Sequence, residues 1–210
     1  MVTARRTRRD TQAQTRADLI AAARDVFLAR GFHAATLDEI AERAGYTKGA
    51  VYSNFAGKDD LFLALLAAHY ARRAELYATI ADVPGDAEER YRAVARLMLT
   101  AYEAEPRWWP LVSDFSSHAS RDPDLLERLR AAREAFMDAL AGSIETICER
   151  HEMAFTLPAR EVARGTGSLM RGMAVEWAID PATTDASVFE EMVAAYLRGL
   201  AVPLHERSTA

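Results

Sequence analysis

Cysteine is almost missing. Cys148 stands alone in 210 residues, which leaves no intrachain disulfide scaffold and no thiolate-rich zinc or iron–sulfur site. Glycine (10) and proline (7) are too scarce for a collagenous or low-complexity chain. Long apolar runs are missing too. The longest uncharged stretch, Leu61–Ala71, is about half of what a bilayer span needs. Arg5, Arg6, Arg8 and Arg9 lead into Asp10, Thr11 and Gln12 rather than into the apolar run of a secretory leader. These absences predict a soluble, reduced protein of the cytoplasm with no membrane partner. Of the 26 basic residues only Lys48 and Lys58 are lysines, and Asn54 is the sole asparagine. All three rare residues fall in one short window.

Half of the residues are apolar and 27% are charged, enough to build and solvate a real core. The net charge of −5 is unevenly spread. Residues 1–60 carry 10 basic and 8 acidic side chains, and residues 61–210 carry 16 and 23. A basic end on an acidic body suits a protein that touches a polyanion with one end only. The plain alternative is a solvated basic tail.

Alternating runs are absent, and Ala, Leu, Arg and Glu dominate, so the chain reads as all-α with about nine helices and no strand. Leu19, Ala22, Ala23, Val26 and Phe27 give a helix over Asp18–Arg30 that Gly31 stops. Thr36 and Glu39 form a capping box opening a short helix through Ala44, which Gly45 ends. Thr47 caps a third helix reaching Asn54 or Phe55, and a fourth is expected over Lys58–Ala81. Beyond Pro84-Gly85, helices are expected over Asp86–Glu105, Trp108–His118, Pro123 to about Glu152, Pro158–Ile179 and Asp185–Val202.

Enzyme signatures fail in turn. His151-Glu152 does not continue into a zinc-binding pair, and no Glu lies three residues before a His. Gly165-Thr166-Gly167 sits mid-helix with no strand before it, and no phosphate-binding glycine loop is present. No catalytic residue, metal site or cofactor is expected.

The segment Thr36–Phe55 carries the most information. Two short helices meet at Gly45-Tyr46-Thr47. Ala41 supplies the small residue at the crossing, Gly45 reverses the chain, and Val51 seats the second helix. Burying Val51 and Phe55 turns Lys48, Gly49, Tyr52 and Ser53 outward. Such a face fits a major groove: Gly49 lets the backbone approach, and Lys48 donates to a guanine edge or a phosphate. Tyr52, Ser53 and Asn54 offer hydrogen-bonding groups, while Thr36 and Lys58 sit at helix N-termini suited to phosphate. The competing class is an all-α small-molecule binding protein or enzyme in which the hairpin is only structural. The missing catalytic constellations oppose it.

The stretches Thr15–Phe32, Ala35–Phe55 and Gly57–Phe62 resemble the N-terminal domain of the TetR family of bacterial repressors, over about residues 12–72. The resemblance implies a helix-turn-helix DNA-binding domain over 12–72 and a ligand-binding and dimerisation domain over 73–210. It implies contacts to a double-stranded operator from Thr36, Thr47, Lys48, Gly49, Tyr52, Asn54 and Lys58. Where Asn54 stands the family often has His, so the titratable group is lost here. It also implies a homodimer joined through its last two helices and released from DNA by a small effector.

In the body, Met98, Tyr102, Trp108, Trp109, Phe115, Phe136, Met137, Met170, Met173 and Trp177 are candidates to line an apolar pocket. Asp114, His118, Arg171 and Glu176 are candidates to orient a polar group within it. Phe189, Val193, Tyr196, Leu197 and Leu200 form a stripe on the last helix that one protomer is expected to leave partly exposed for its twin. Gly165, Gly167 and Gly172 are read as points of close helix packing.

Overall fold

The computed structural model describes residues 8–180, 182 and 185–203. Nine α-helices run through the described residues: α1 (Arg8–Ala34), α2 (Leu37–Ala44), α3 (Lys48–Asn54), α4 (Lys58–Ala78), α5 (Ala87–Ala104), α6 (Trp108–Ala119), α7 (Pro123–Arg150), α8 (Ala159–Ile179) and α9 (Ala186–Leu200). A 3-10 turn, Thr79–Asp82, follows α4.

The expectation of no strand is corrected. Two three-residue strands, β1 (Met153–Phe155) and β2 (Ala201–Pro203), pair antiparallel with Ala154 opposite Val202. The long seventh helix therefore stops at Arg150 and the last helix at Leu200, each short of its expected end. Glu152 passes through a left-handed conformation (φ 51°) to make the turn, and the Thr156 N–H donates to the Leu200 carbonyl at 2.8 Å. Gly31 breaks α1 as expected (φ 78°, ψ 167°). The same helix begins at Arg8, ten residues before its expected start at Asp18.

The chain packs as two compact units. One holds the described residues up to His69 together with Leu111–Ala132; the other holds Tyr70–Pro110 and the described residues from Arg133 onward.

The core of the first unit is aromatic. Phe62 stacks on Phe115 with ring centroids 4.2 Å apart, and Phe27 and Phe32 meet Phe62 edge-on. All four are fully or almost fully buried. His118 Nε2 lies 3.1 Å from Asp59 Oδ1, and an Arg128–Asp60 ion pair stands beside it in sequence. α1 packs on α2, and Leu19 and Ala23 of α1 and Ile40 and Ala41 of α2 are buried. The Tyr46 hydroxyl donates to Asp18 at 2.9 Å, and Arg43 pairs with Asp25, so the α2–α3 turn is tied to α1 by polar contacts as well.

In the second unit α9 packs on α5 and α8. Tyr91, Met98, Met170, Trp177, Phe189 and Val193 belong to one buried cluster. Its outer edge carries a lattice of ion pairs, in which Arg92, Arg96 and Arg198 engage Glu88, Glu89, Glu190 and Glu191. Of the three helix glycines, only Gly165 answers to close packing. A Cβ there would lie 1.9 Å from the Tyr196 hydroxyl oxygen. Gly167 would meet only Arg171 of its own helix, and Gly172 opens on free space.

Candidate nucleic-acid interface

Local chemistry builds the α2–α3 pair. Thr36 Oγ1 accepts from the Glu39 N–H at 3.2 Å, and the Glu39 carboxylate accepts from the Thr36 N–H at 3.1 Å. This reciprocal cap fixes where α2 starts. Gly45 lies just past its end in a left-handed conformation (φ 73°), with its N–H donating to Glu42 and the Tyr46 N–H donating to Ala41. That closure turns the chain sharply and satisfies the last carbonyls of α2. Thr47 then caps α3 by accepting from the Ala50 N–H at 3.3 Å. Val51 and Phe55 are buried, as are Ile40 and Ala41 of α2, on which α3 packs, and this burial sets the rotation of α3.

That rotation exposes Lys48, Gly49, Tyr52 and Ser53, and Tyr52 is 54% accessible. The Lys48 ammonium lies 2.9 Å from the Asp38 carboxylate of α2, and that hydrogen bond raises the Lys48 pKa. A Cβ on Gly49 would meet only Thr47 Oγ1, at an ordinary 3.7 Å. The fold itself therefore does not require glycine at this position. Ser53 and Asn54 both turn back to the Ala50 carbonyl, at 2.9 and 2.8 Å. Arg16, not singled out from the sequence, places its guanidinium 4.4 Å over the Phe55 ring, close to the same edge.

Lys58 is placed differently from its neighbours. Its ammonium donates to the carbonyls of His33 (3.0 Å) and Ala35 (3.2 Å) and sits 4.7 Å over the Phe32 ring. It clamps the start of α4 to the end of α1. Of the basic N-terminal residues, Arg5 and Arg6 lie outside the described residues, and Arg8 and Arg9 form the first turn of α1.

The residues expected around a pocket are not all brought together. Met98, Met170, Met173 and Trp177 are buried in the cluster of the second unit, with Tyr102 and Trp109 half-buried against it. Tyr102 and Trp177 rings lie 4.9 Å apart. Trp108 and Met137 are buried in the same unit, and Phe136 stacks on Tyr70. Phe115 belongs to the first unit's aromatic core. Arg171 is half-buried, whereas Asp114 and Glu176 are exposed.

The stripe on the last helix is a correction. One protomer does not leave it exposed: Phe189 and Val193 are fully buried and Leu197 is 5% accessible, because α5 and α8 of the same chain cover them. Only Tyr196 and Leu200 are half-buried. On α8 and α9 the large apolar side chains left in solvent are others, Val175 (57%) and Ile179 (76%) on α8, and Val188 and Met192 on α9.

A capped helix pair with its second helix displaying a polar face, on a chain that continues into a larger helical unit, defines a helix-turn-helix DNA-binding regulator. Residues 19–65 match the model of the bacterial regulatory proteins of the tetR family, and residues 87–202 match that of the BetI-type transcriptional repressor C-terminal domain. The chain belongs to the TetR family of transcriptional regulators. It is 32% identical to the transcriptional activator FasR of Mycolicibacterium smegmatis over 65% of its own length and 61% of that protein's. It is 27% identical to the transcriptional repressor BepR of Brucella suis over 82% of its own length and 84% of that protein's. Its fold matches the crystal structure of a TetR-family regulator from Mesorhizobium loti with a TM-score of 0.72 at 19% identity, over 92% of this chain and 96% of the other.

Proposed function

We propose that the protein is a homodimeric repressor that reads a two-fold related operator and leaves it when a small, largely apolar effector binds. The observation that carries this reading is the outward face of α3. Lys48, Gly49, Tyr52 and Ser53 are exposed together on a helix whose orientation is fixed by Val51 and Phe55. Thr36, Thr47, Asn54 and Lys58 flank that face, and they are the proposed phosphate contacts. Repression is favoured over activation because the match covering more than half of the chain is to a repressor domain.

The dimer reading rests on Val175, Ile179, Val188 and Met192. Large exposed apolar residues on two adjacent helices are what an interface core requires. The effector is assigned to the cluster holding Met98, Tyr102, Trp109, Met170, Met173 and Trp177. Acting on DNA inside the cell, the protein works in the cytoplasm and needs no catalytic step or cofactor.

The test is fluorescence anisotropy with labelled DNA from upstream of the protein's own gene, against scrambled DNA of equal length. Specific binding that two protomers share is the expected result. Equal affinity for both DNAs at moderate salt sinks the operator reading. It favours instead a binding protein whose hairpin is structural.

A further inference from the structure

The outward face of α3 carries one cation, Lys48, and that cation is engaged. Its ammonium lies 2.9 Å from each oxygen of the Asp38 carboxylate, in the first turn of α2. The hydrogen bond to Asp38, and then its charge, raises the Lys48 pKa. The ammonium keeps N–H groups to spare, and the carboxylate keeps lone pairs.

The pair does little for the fold. Its side chains are 57% and 62% exposed, and exposed ion pairs contribute little to stability. The starts of α2 and α3 are already fixed by the Thr36–Glu39 and Thr47 caps, and the rotation of α3 by the burial of Val51 and Phe55. On DNA of arbitrary sequence the carboxylate works against binding, because it repels phosphate and occupies the one cation of the face.

The neighbouring groups narrow its use. Ser53 Oγ donates to the Ala50 carbonyl at 2.9 Å, and Asn54 Nδ2 donates to the same carbonyl at 2.8 Å and to Ser53 Oγ at 3.3 Å. Their donors are spent inside α3. Gly49, next to Lys48, has no side chain to keep a base edge away from the pair.

A G·C pair offers the matching edge. Guanine O6 and the cytosine amino group are one hydrogen bond apart, and so are Lys48 and Asp38. Into the major groove guanine turns O6 and N7 as acceptors, and cytosine turns its second N4–H as a donor. Laid edge to edge, the ammonium donates to O6 and N7 and the carboxylate accepts from N4. A T·A pair with thymine beside Lys48 keeps one acceptor and one donor, loses N7 and adds a methyl group. C·G or A·T sets an amino group against the ammonium and a carbonyl oxygen against the carboxylate.

We infer that Lys48 and Asp38 together read one G·C pair in each half-site, with guanine on the Lys48 side. The inference rests on reading α3 as the helix that faces DNA.

The experiment uses the full chain and a library of duplexes with a random central segment. Duplexes retained by the native chain, by Lys48→Ala and by Asp38→Ala are sequenced after repeated selection. Anisotropy at fixed salt then measures the enriched site with each position exchanged through all four pairs. At one position of the half-site the native chain should bind G·C about 5- to 150-fold more tightly than C·G or A·T, with T·A between. Each substitution should level that position and leave the other preferences in place. Asp38→Ala should also bind a scrambled duplex more tightly than the native chain does, because Lys48 is released to phosphate; a merely structural Asp38 would weaken binding to both duplexes.

A second measurement needs no change to the reading pair. 7-Deazaguanine at that position lacks N7, so it should weaken native binding several-fold and leave Lys48→Ala binding unchanged. An enriched site whose preferences survive both substitutions overturns the inference and leaves the operator reading standing. The same holds for a preference lost in Lys48→Ala but kept in Asp38→Ala, for a shared position that prefers another base pair, and for 7-deazaguanine bound as tightly as guanine. If the native chain enriches no sequence, the operator reading itself falls, and this inference with it.

Discussion

Replacing Gly49 with alanine should move stability and DNA affinity in opposite directions. In the structure a Cβ at this position meets a single atom at 3.7 Å, and the backbone there does not have the positive φ that resists a side chain. Alanine is therefore accommodated without repacking. Alanine in a helix interior is worth about 0.8–1 kcal/mol over glycine. Gly49 is the second residue of a seven-residue helix, so a gain of roughly 0–0.5 kcal/mol is expected. In the proposed complex with DNA the same methyl would stand where α3 comes nearest the base edges. Losing one close approach costs about 1–3 kcal/mol, or roughly 5- to 150-fold in Kd. Urea unfolding followed by circular dichroism gives the first quantity, and anisotropy at fixed salt gives the second. Native affinity in Gly49→Ala would show that this face does not meet the groove. A stability loss of more than about 1 kcal/mol would instead show that the packing around α3 is misjudged.

The two lysines should separate cleanly. Lys48→Ala should lower the log–log salt slope of DNA binding by about 1 and alter sequence preference if its ammonium reaches a base; Lys58→Ala should in addition destabilise the first unit by about 1 kcal/mol, through the lost carbonyl contacts, in thermal unfolding. On the dimer face, Val175→Arg or Ile179→Arg should give a folded monomer in analytical ultracentrifugation. Leu197→Arg should fail to fold instead, and a folded dimeric Leu197→Arg would reverse the roles assigned to these two faces. The Arg198 and Arg92 guanidinium groups hold the Glu88 and Glu191 carboxyls below their usual range. Their stabilising contribution is thus present above the ordinary carboxylate pKa and disappears as pH falls through the depressed values. The Tm difference between the native chain and Glu88→Gln, Glu191→Gln should accordingly vanish on acidification, whereas a constant difference would deny the pairing any role.

The reading head was legible in the sequence because its geometry is set locally. Thr36 with Glu39, Gly45 and Thr47 each satisfy backbone groups a few residues away, and Val51 and Phe55 fix one helix face. What eluded sequence reading depends on distant partners. The start of α1 at Arg8 precedes any apolar stripe, and Thr11–Gln14 are exposed. The β1–β2 ribbon exists because Met153–Phe155 meets a segment far along the chain. Periodicity identified the apolar face of α9 but could not tell that α5 and α8 cover it, leaving Val188 and Met192 outside. Lys58 looked free at a helix start, and its clamp on the His33 and Ala35 carbonyls appears only when α1 and α4 are packed.

The contact between Gly165 and Tyr196 bears on how this sequence can vary. With the phenolic oxygen occupying the space of the missing methyl, any side chain at 165 collides until the ring at 196 is shortened or swung away. Shortening the ring first leaves a void beside a bare helix backbone. A side chain at 165 is therefore accommodated only as the Tyr196 ring moves, and the combined substitution costs less than the two single costs added. Two positions on separate helices behave as one inherited unit. A mutational library built one site at a time would record a cost at each and miss the cheaper joint change, Gly165→Ala with Tyr196→Ala.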